Sequence, residues 1–123
     1  MLLVGTFLGV ADNSGALKLK CVRILGCSSC NHTNVGDYIV VVVKTCRNNR
    51  AAKSKTVYRS ILVRQRSRTL RKNGFMISFL ENKVVLFKPK KDEPLATRVM
   101  GSVLQELRFK KATKVLMLAW NVI

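Results

Sequence analysis

One run, Tyr38-Ile-Val-Val-Val-Val-Lys44, constrains the fold of this chain more than any other stretch. β-Branched side chains lose rotamer freedom in a helix but pack well on a pleated surface, so the run predicts a strand. It is also far shorter than the roughly 20 apolar residues that a membrane-spanning helix needs. Its neighbours repeat the signal. Leu2 to Val10 is apolar, interrupted by Gly5 and Gly9, and predicts a short first strand. From Leu17 to about Leu25, apolar residues alternate with Lys18 and Lys20, the period-2 pattern of a half-buried strand with its lysines outward. Turn formers separate these segments at 11–16 (ADNSGA) and at Val35-Gly36-Asp37.

The central span from Arg59 to Phe87 joins apolar limbs through a cationic tip. It opens with Ile61-Leu62-Val63, turns basic at Arg64, Arg66, Arg68, Arg71 and Lys72, and reverses at Asn73-Gly74. Asn-Gly tolerates positive φ, so it favours a tight turn. The pattern predicts a hairpin of Val57 to Val63 with Phe75 to Phe79, and then a further strand over Lys83 to Lys88. A second basic stretch, Arg47 to Lys55 (RNNRAAKSK), predicts a mobile surface loop with Arg47, Arg50, Lys53 and Lys55 exposed. Two such loops would form a bipartite cationic surface.

Toward the end, Pro89 and Pro94 bracket a charged linker. Ser102 is placed to cap a short helix carrying Val103, Leu104 and Leu107 on one face. Lys110 to Lys114 predicts another helical turn, and Val115 to Ala119 a closing strand. Short strands at near-regular spacing followed by little helix predict a mainly β fold, a small closed barrel with a helical appendage over 94–114. At 123 residues the chain is one domain.

Charge then selects a partner class. Lys and Arg number 23 against 6 Asp and Glu, a net charge of +17, while 48% hydrophobic residues supply a core. Such self-repulsion is relieved by a polyanion, with nucleic acid ahead of an anionic membrane. Phe75, Phe79 and Phe87 fall among apolar neighbours and are expected in the core. Basic loops without stacking aromatics favour a folded RNA recognised by shape and backbone.

Catalysis finds no foothold. Asp12 and Asp37 lie in turns, where carboxylates cap backbone N–H groups, and Asp92 and Glu93 lie in the linker. The one histidine, His32, sits in a cysteine loop, and neither a phosphate loop nor a nucleophile elbow is present. Cys27-Ser-Ser-Cys30 has the CxxC spacing, but a zinc site would need Cys21 or Cys46 to complete it with His32. Cys21 and Cys46 are expected as small residues of strands, so no metal and no cofactor are expected.

Specific motifs now carry a resemblance. ADNSGA at 11–16, VGD at 35–37, the span 60–86 and PLATRVMGSVLQELR at 94–108 resemble the universal fourteenth protein of the large ribosomal subunit. Within the span, Ile61-Leu62-Val63, Asn73-Gly74, Phe79, Asn82 and Val85-Leu86 follow that family's order. Ser60, Ala96, Met100 and Ser102 depart from its usual residues, and the CxxC loop and Trp120 are not its hallmarks. The resemblance implies a five-stranded antiparallel β-barrel that binds large-subunit rRNA. It also implies contacts with neighbouring large-subunit proteins and with small-subunit rRNA across an intersubunit bridge. Thr97, Arg98 and Lys114 match a docking surface for a ribosome silencing factor. A free-standing RNA-binding regulator or chaperone of barrel type is the alternative. The initiator methionine, the absence of a signal or transit leader and the idiosyncratic substitutions point to a mitochondrion, with plastid or bacterial cytoplasm as alternatives.

Overall fold

The computed structural model describes residues 2–26 and 31–123, so the CxxC motif lies outside the described residues. The strands are β1 (Leu2–Leu3), β2 (Phe7–Val10), β3 (Ala16–Ile24), β4 (His32–Thr33), β5 (Tyr38–Cys46), β6 (Val57–Arg64), β7 (Thr69–Leu70), β8 (Met76–Ile77), β9 (Lys83–Leu86) and β10 (Val99–Val103). A 3₁₀ helix at Gln105–Arg108, the helix α1 (Thr113–Leu118) and strand β11 (Ala119–Val122) complete the chain.

Five strands close a barrel in the order β2-β3-β5-β6-β9. The expected five-stranded barrel is present, but it is mixed and not wholly antiparallel. β9 pairs antiparallel with β6 and parallel with β2, through Gly9–Lys83 and Val10–Val84. The reason lies in the connection: residues 65–82 leave the barrel and return, so β9 enters alongside β6 and its free edge meets β2 in the parallel sense.

The apolar run at β9 explains why it, rather than Phe75 to Phe79, partners β6. Val84, Val85 and Leu86 are all fully buried, which requires cover on both faces. Val84 and Leu86 point into the barrel with Leu62, whereas Val85 faces outward with Ile61 and Val63 into a second apolar cluster. Phe75 is 70% exposed and offers no second buried face. The Asn73-Gly74 reversal therefore closes only the small β7–β8 ribbon beyond the barrel, with Gly74 at φ 87.

The first apolar stretch also divides. β1 pairs with β4, and only β2 joins the barrel, after a turn through Gly5.

The second cluster is covered by the C-terminal segment. Val99, Val103, Leu104, Leu107, Ala112, Val115 and Leu116 pack over Ile61, Val63, Val85 and Phe87. Here two local expectations give way to packing. Ser102 caps no helix: it lies in β10, paired with Asn121 of β11, and the 3₁₀ turn starts after Leu104 without a side-chain cap. Val115–Leu118 is helical, and the closing strand begins at Ala119. A short apolar run fits either period, and helical spacing is what turns Val115 and Leu116 onto the barrel.

Candidate nucleic-acid interface

The loop after β5 begins at Arg47. Its backbone is strapped to the 12–15 turn: Arg47 N–H donates to the Gly15 carbonyl at 2.8 Å and Ala52 N–H to that of Ser14 at 3.0 Å. Lys53 N–H donates to the Tyr58 hydroxyl at 3.2 Å, and Ala52 is buried. Gly15 permits this approach, since it takes φ +92 and a Cβ there would stand 2.2 Å from Arg50 Cβ. The loop expected to be mobile is thus anchored through its main chain, while Arg47, Arg50, Lys53 and Lys55 point outward. Lys18 and Lys20 are likewise exposed on the outer face of β3.

The second basic tip is not uniform. Arg66, Arg68 and Lys72 are exposed. Arg64 instead donates to the Met100 carbonyl and lies against Gly101. Burial pushes its guanidinium pKa down, with the Glu81 carboxylate opposing that shift. Arg71 grips Glu106 with Nε and Nη2, at 2.6 and 3.2 Å, and also donates to the Ile123 carbonyl. Its side chain is only 16% exposed. Two of the five tip cations therefore tie β6 and the tip to the C-terminal segment.

The structure brings together pairs that are distant in sequence. Arg47 and Arg50 share a cleft of about 310 Å³ with Asn13 and Met100. Lys18 and Arg66 share another, of about 460 Å³. Thr97 and Arg98 lead into β10 and Lys114 lies on α1, which leads into β11; all three are exposed, and the Val99–Ala119 pairing joins their elements.

Sequence reasoning missed Asn13. Its side-chain oxygen accepts from Thr97 N–H and Arg98 N–H at 3.2 and 3.3 Å, and its amide donates to the Thr97 hydroxyl at 3.1 Å. A turn motif alone gives no sign of this reach across 84 residues. Phe7, inside the first apolar stretch, gives no local sign of its exposure; it is 53% exposed, with Lys18 Nζ 4.5 Å from its ring centroid. Phe75 is exposed as well, against expectation, while Phe87 is in the core and Phe79 packs against it.

The carboxylates do structural work. Asp12 accepts from Ser14 N–H at 3.0 Å and from Leu86 N–H at 2.9 Å, beside the β2–β9 seam. Burial pushes its carboxyl pKa up, and those hydrogen bonds pull against the rise. Burial also acts to raise Asp37, but N–H donation from Asn34, the Lys110 ammonium and the Thr33 hydroxyl outweigh it and hold the carboxyl below the usual range. Cys21 is fully buried in the barrel, and burial pushes its thiol pKa up; Cys46 is half-buried against the same core. Among the described residues no cluster of three or more His, Cys, Asp or Glu could hold a metal ion.

These features define a small, strongly basic closed-barrel protein with a folded C-terminal cap. The family model for Ribosomal protein L14p/L23e matches residues 1–123, and the chain belongs to that family. It is a structural protein of the large ribosomal subunit and not an enzyme, and it works among rRNA and other ribosomal proteins.

Proposed function

We propose that the chain binds large-subunit rRNA directly, chiefly through backbone phosphates, using the exposed cations of β3, the Arg47 to Lys55 loop and the outer part of the 64–72 tip. One observation carries this reading: every carboxylate side chain in the protein is already occupied. Asp12 holds backbone N–H groups, and Asp37, Glu81, Asp92, Glu93 and Glu106 pair with Lys110, Lys83, Arg59, Lys88 and Arg71. Lys18, Lys20, Arg47, Arg50, Lys53, Lys55, Arg66, Arg68 and Lys72 are exposed and form no ion pair among the described residues. Their neutralisation must come from outside the chain.

Contact with about 6–10 phosphates would make binding fall on the order of a thousand-fold or more between low and moderate salt. Filter binding of purified large-subunit rRNA across a salt series tests this, and a flat response sinks it.

The Thr97, Arg98 and Lys114 surface is proposed to face the intersubunit side, touching small-subunit rRNA or a ribosome silencing factor. What supports it is their exposure on two joined elements and the Asn13 clamp on their backbone. Arg98→Glu should abolish co-purification of the factor while sparing rRNA binding. The host ribosome is proposed to be mitochondrial, on the strength of the substitutions at Ser60, Ala96, Met100 and Ser102. Mass spectrometry of ribosomes from purified mitochondria checks it, and recovery only from another compartment overturns it.

A further inference from the structure

Where the β2–β9 seam meets β3, the outer barrel surface carries the open cleft of about 460 Å³. Phe7, Leu17 and Leu80 form apolar walls, exposed by 53%, 50% and 93%. Lys18 and Arg66 stand at the rim. The one acid present, Glu81, is paired with Lys83 at 2.8 Å.

Gly9 also lines the cleft and sits between Lys18 and Lys83 in the sheet. Nothing inside the chain asks for glycine there. Its φ is outside the left-handed region, and a Cβ would come no nearer than 3.5 Å to the Lys83 side chain, an ordinary contact. Glycine weakens a strand interior, and one of the things it often marks there is a site where a ligand approaches closely.

We propose that this cleft holds one unstacked nucleotide of the bound RNA, its base between Phe7, Leu17 and Leu80 and its phosphate on Lys18 and Arg66. The volume lies within the roughly 300–1,000 Å³ of small-ligand sites. RNA readers commonly take splayed bases onto aromatic and apolar side chains beside cations. A peptide segment is the weaker occupant, because the rim presents two cations with no partner carboxylate and the whole chain carries +17.

The inference rests on direct rRNA binding, so the test separates the two. Gly9→Leu adds bulk to the lining, Phe7→Ala and Leu80→Ser strip the walls, and none of them changes charge. Lys53→Gln with Lys55→Gln changes charge outside the cleft. Binding to purified large-subunit rRNA is measured across salt, with thermal melting as the folding check. Each cleft variant should lose roughly ten-fold in affinity at every salt concentration, with the salt slope unchanged. The loop variant should flatten the slope. Wild-type affinity in the cleft variants beside a flattened loop variant overturns the nucleotide site and leaves rRNA binding standing; no response from either overturns both. Leu80→Ser, at a 93% exposed position, keeps the test valid if Gly9→Leu fails to fold. Ultraviolet crosslinking of assembled large subunits should attach a nucleotide to the peptide containing Phe7, and a protein crosslink there overturns the assignment.

Discussion

The two basic stretches, Arg47 to Lys55 and Arg64 to Lys72, look alike in sequence and are built in opposite ways. In the first, the main chain is tied to the 12–15 turn and the cationic heads are left outside. In the second, Arg64 and Arg71 turn inward onto Met100, Glu106 and Ile123, and only Arg66, Arg68 and Lys72 remain in the open. Arginine suits both tasks because its fork of donors can satisfy carbonyls and a carboxylate in a half-buried site as readily as phosphates. Positive charge in a loop therefore does not by itself identify a contact with RNA.

The sharpest break of this comparison is to neutralise one stretch and then the other. Arg47, Arg50, Lys53 and Lys55 changed together to Gln should lower rRNA affinity on the order of a hundred-fold or more at moderate salt. The salt slope should drop by about 1 for each phosphate no longer neutralised, with melting temperature nearly unchanged. An unaltered slope would remove the loop from the interface. Arg71→Ala should do the reverse. It leaves Glu106 half-buried without its partner, so unfolding in urea should show a loss of about 2 kcal/mol, while the salt slope of rRNA binding stays as in wild type.

Asn13→Ala gives a subtler contrast, because it frees Thr97 and Arg98 without touching a cation. A stability loss of about 1 kcal/mol is expected, with faster amide exchange at Thr97 and Arg98 as the local signature. The smallest effect concerns pH. The Asp37 carboxyl is held low, so its contribution is present above the ordinary carboxylate range and is lost as pH falls through its folded value. Wild type should therefore lose more melting temperature between neutral and strongly acidic pH than Asp37→Asn does. Parallel acid limbs in the two proteins would show that the Asn34, Thr33 and Lys110 contacts carry no linkage.

Much of the barrel was legible because its strands announce themselves locally. Tyr38–Cys46 is β-branched, Ala16–Ile24 alternates, and the turns at 12–15 and 35–36 hold the residue types their backbone needs. The turn carboxylates Asp12 and Asp37 were legible for the same reason. What failed was partner choice. Val57–Arg64 could pair with Phe75 to Phe79 on local grounds, yet the run at Val84–Leu86 needs burial on both faces, and only a place inside the barrel wall provides it. The cap failed likewise, since Ser102 and Val115 carry signals for either period.

By itself the sequence determined the long barrel strands, the closure into a small barrel, the cationic surplus and, through its motifs, the family. Tertiary structure alone decided that β9 closes the barrel in parallel against β2, that Arg64 and Arg71 serve the cap, and that Lys18, Gly9 and Arg66 share one cleft. The division has a physical cause. Rotamer preference, period and net charge are properties of neighbours along the chain. Burial on both faces and the pairing of a charge depend on residues tens of positions away, which only the closed fold brings within reach.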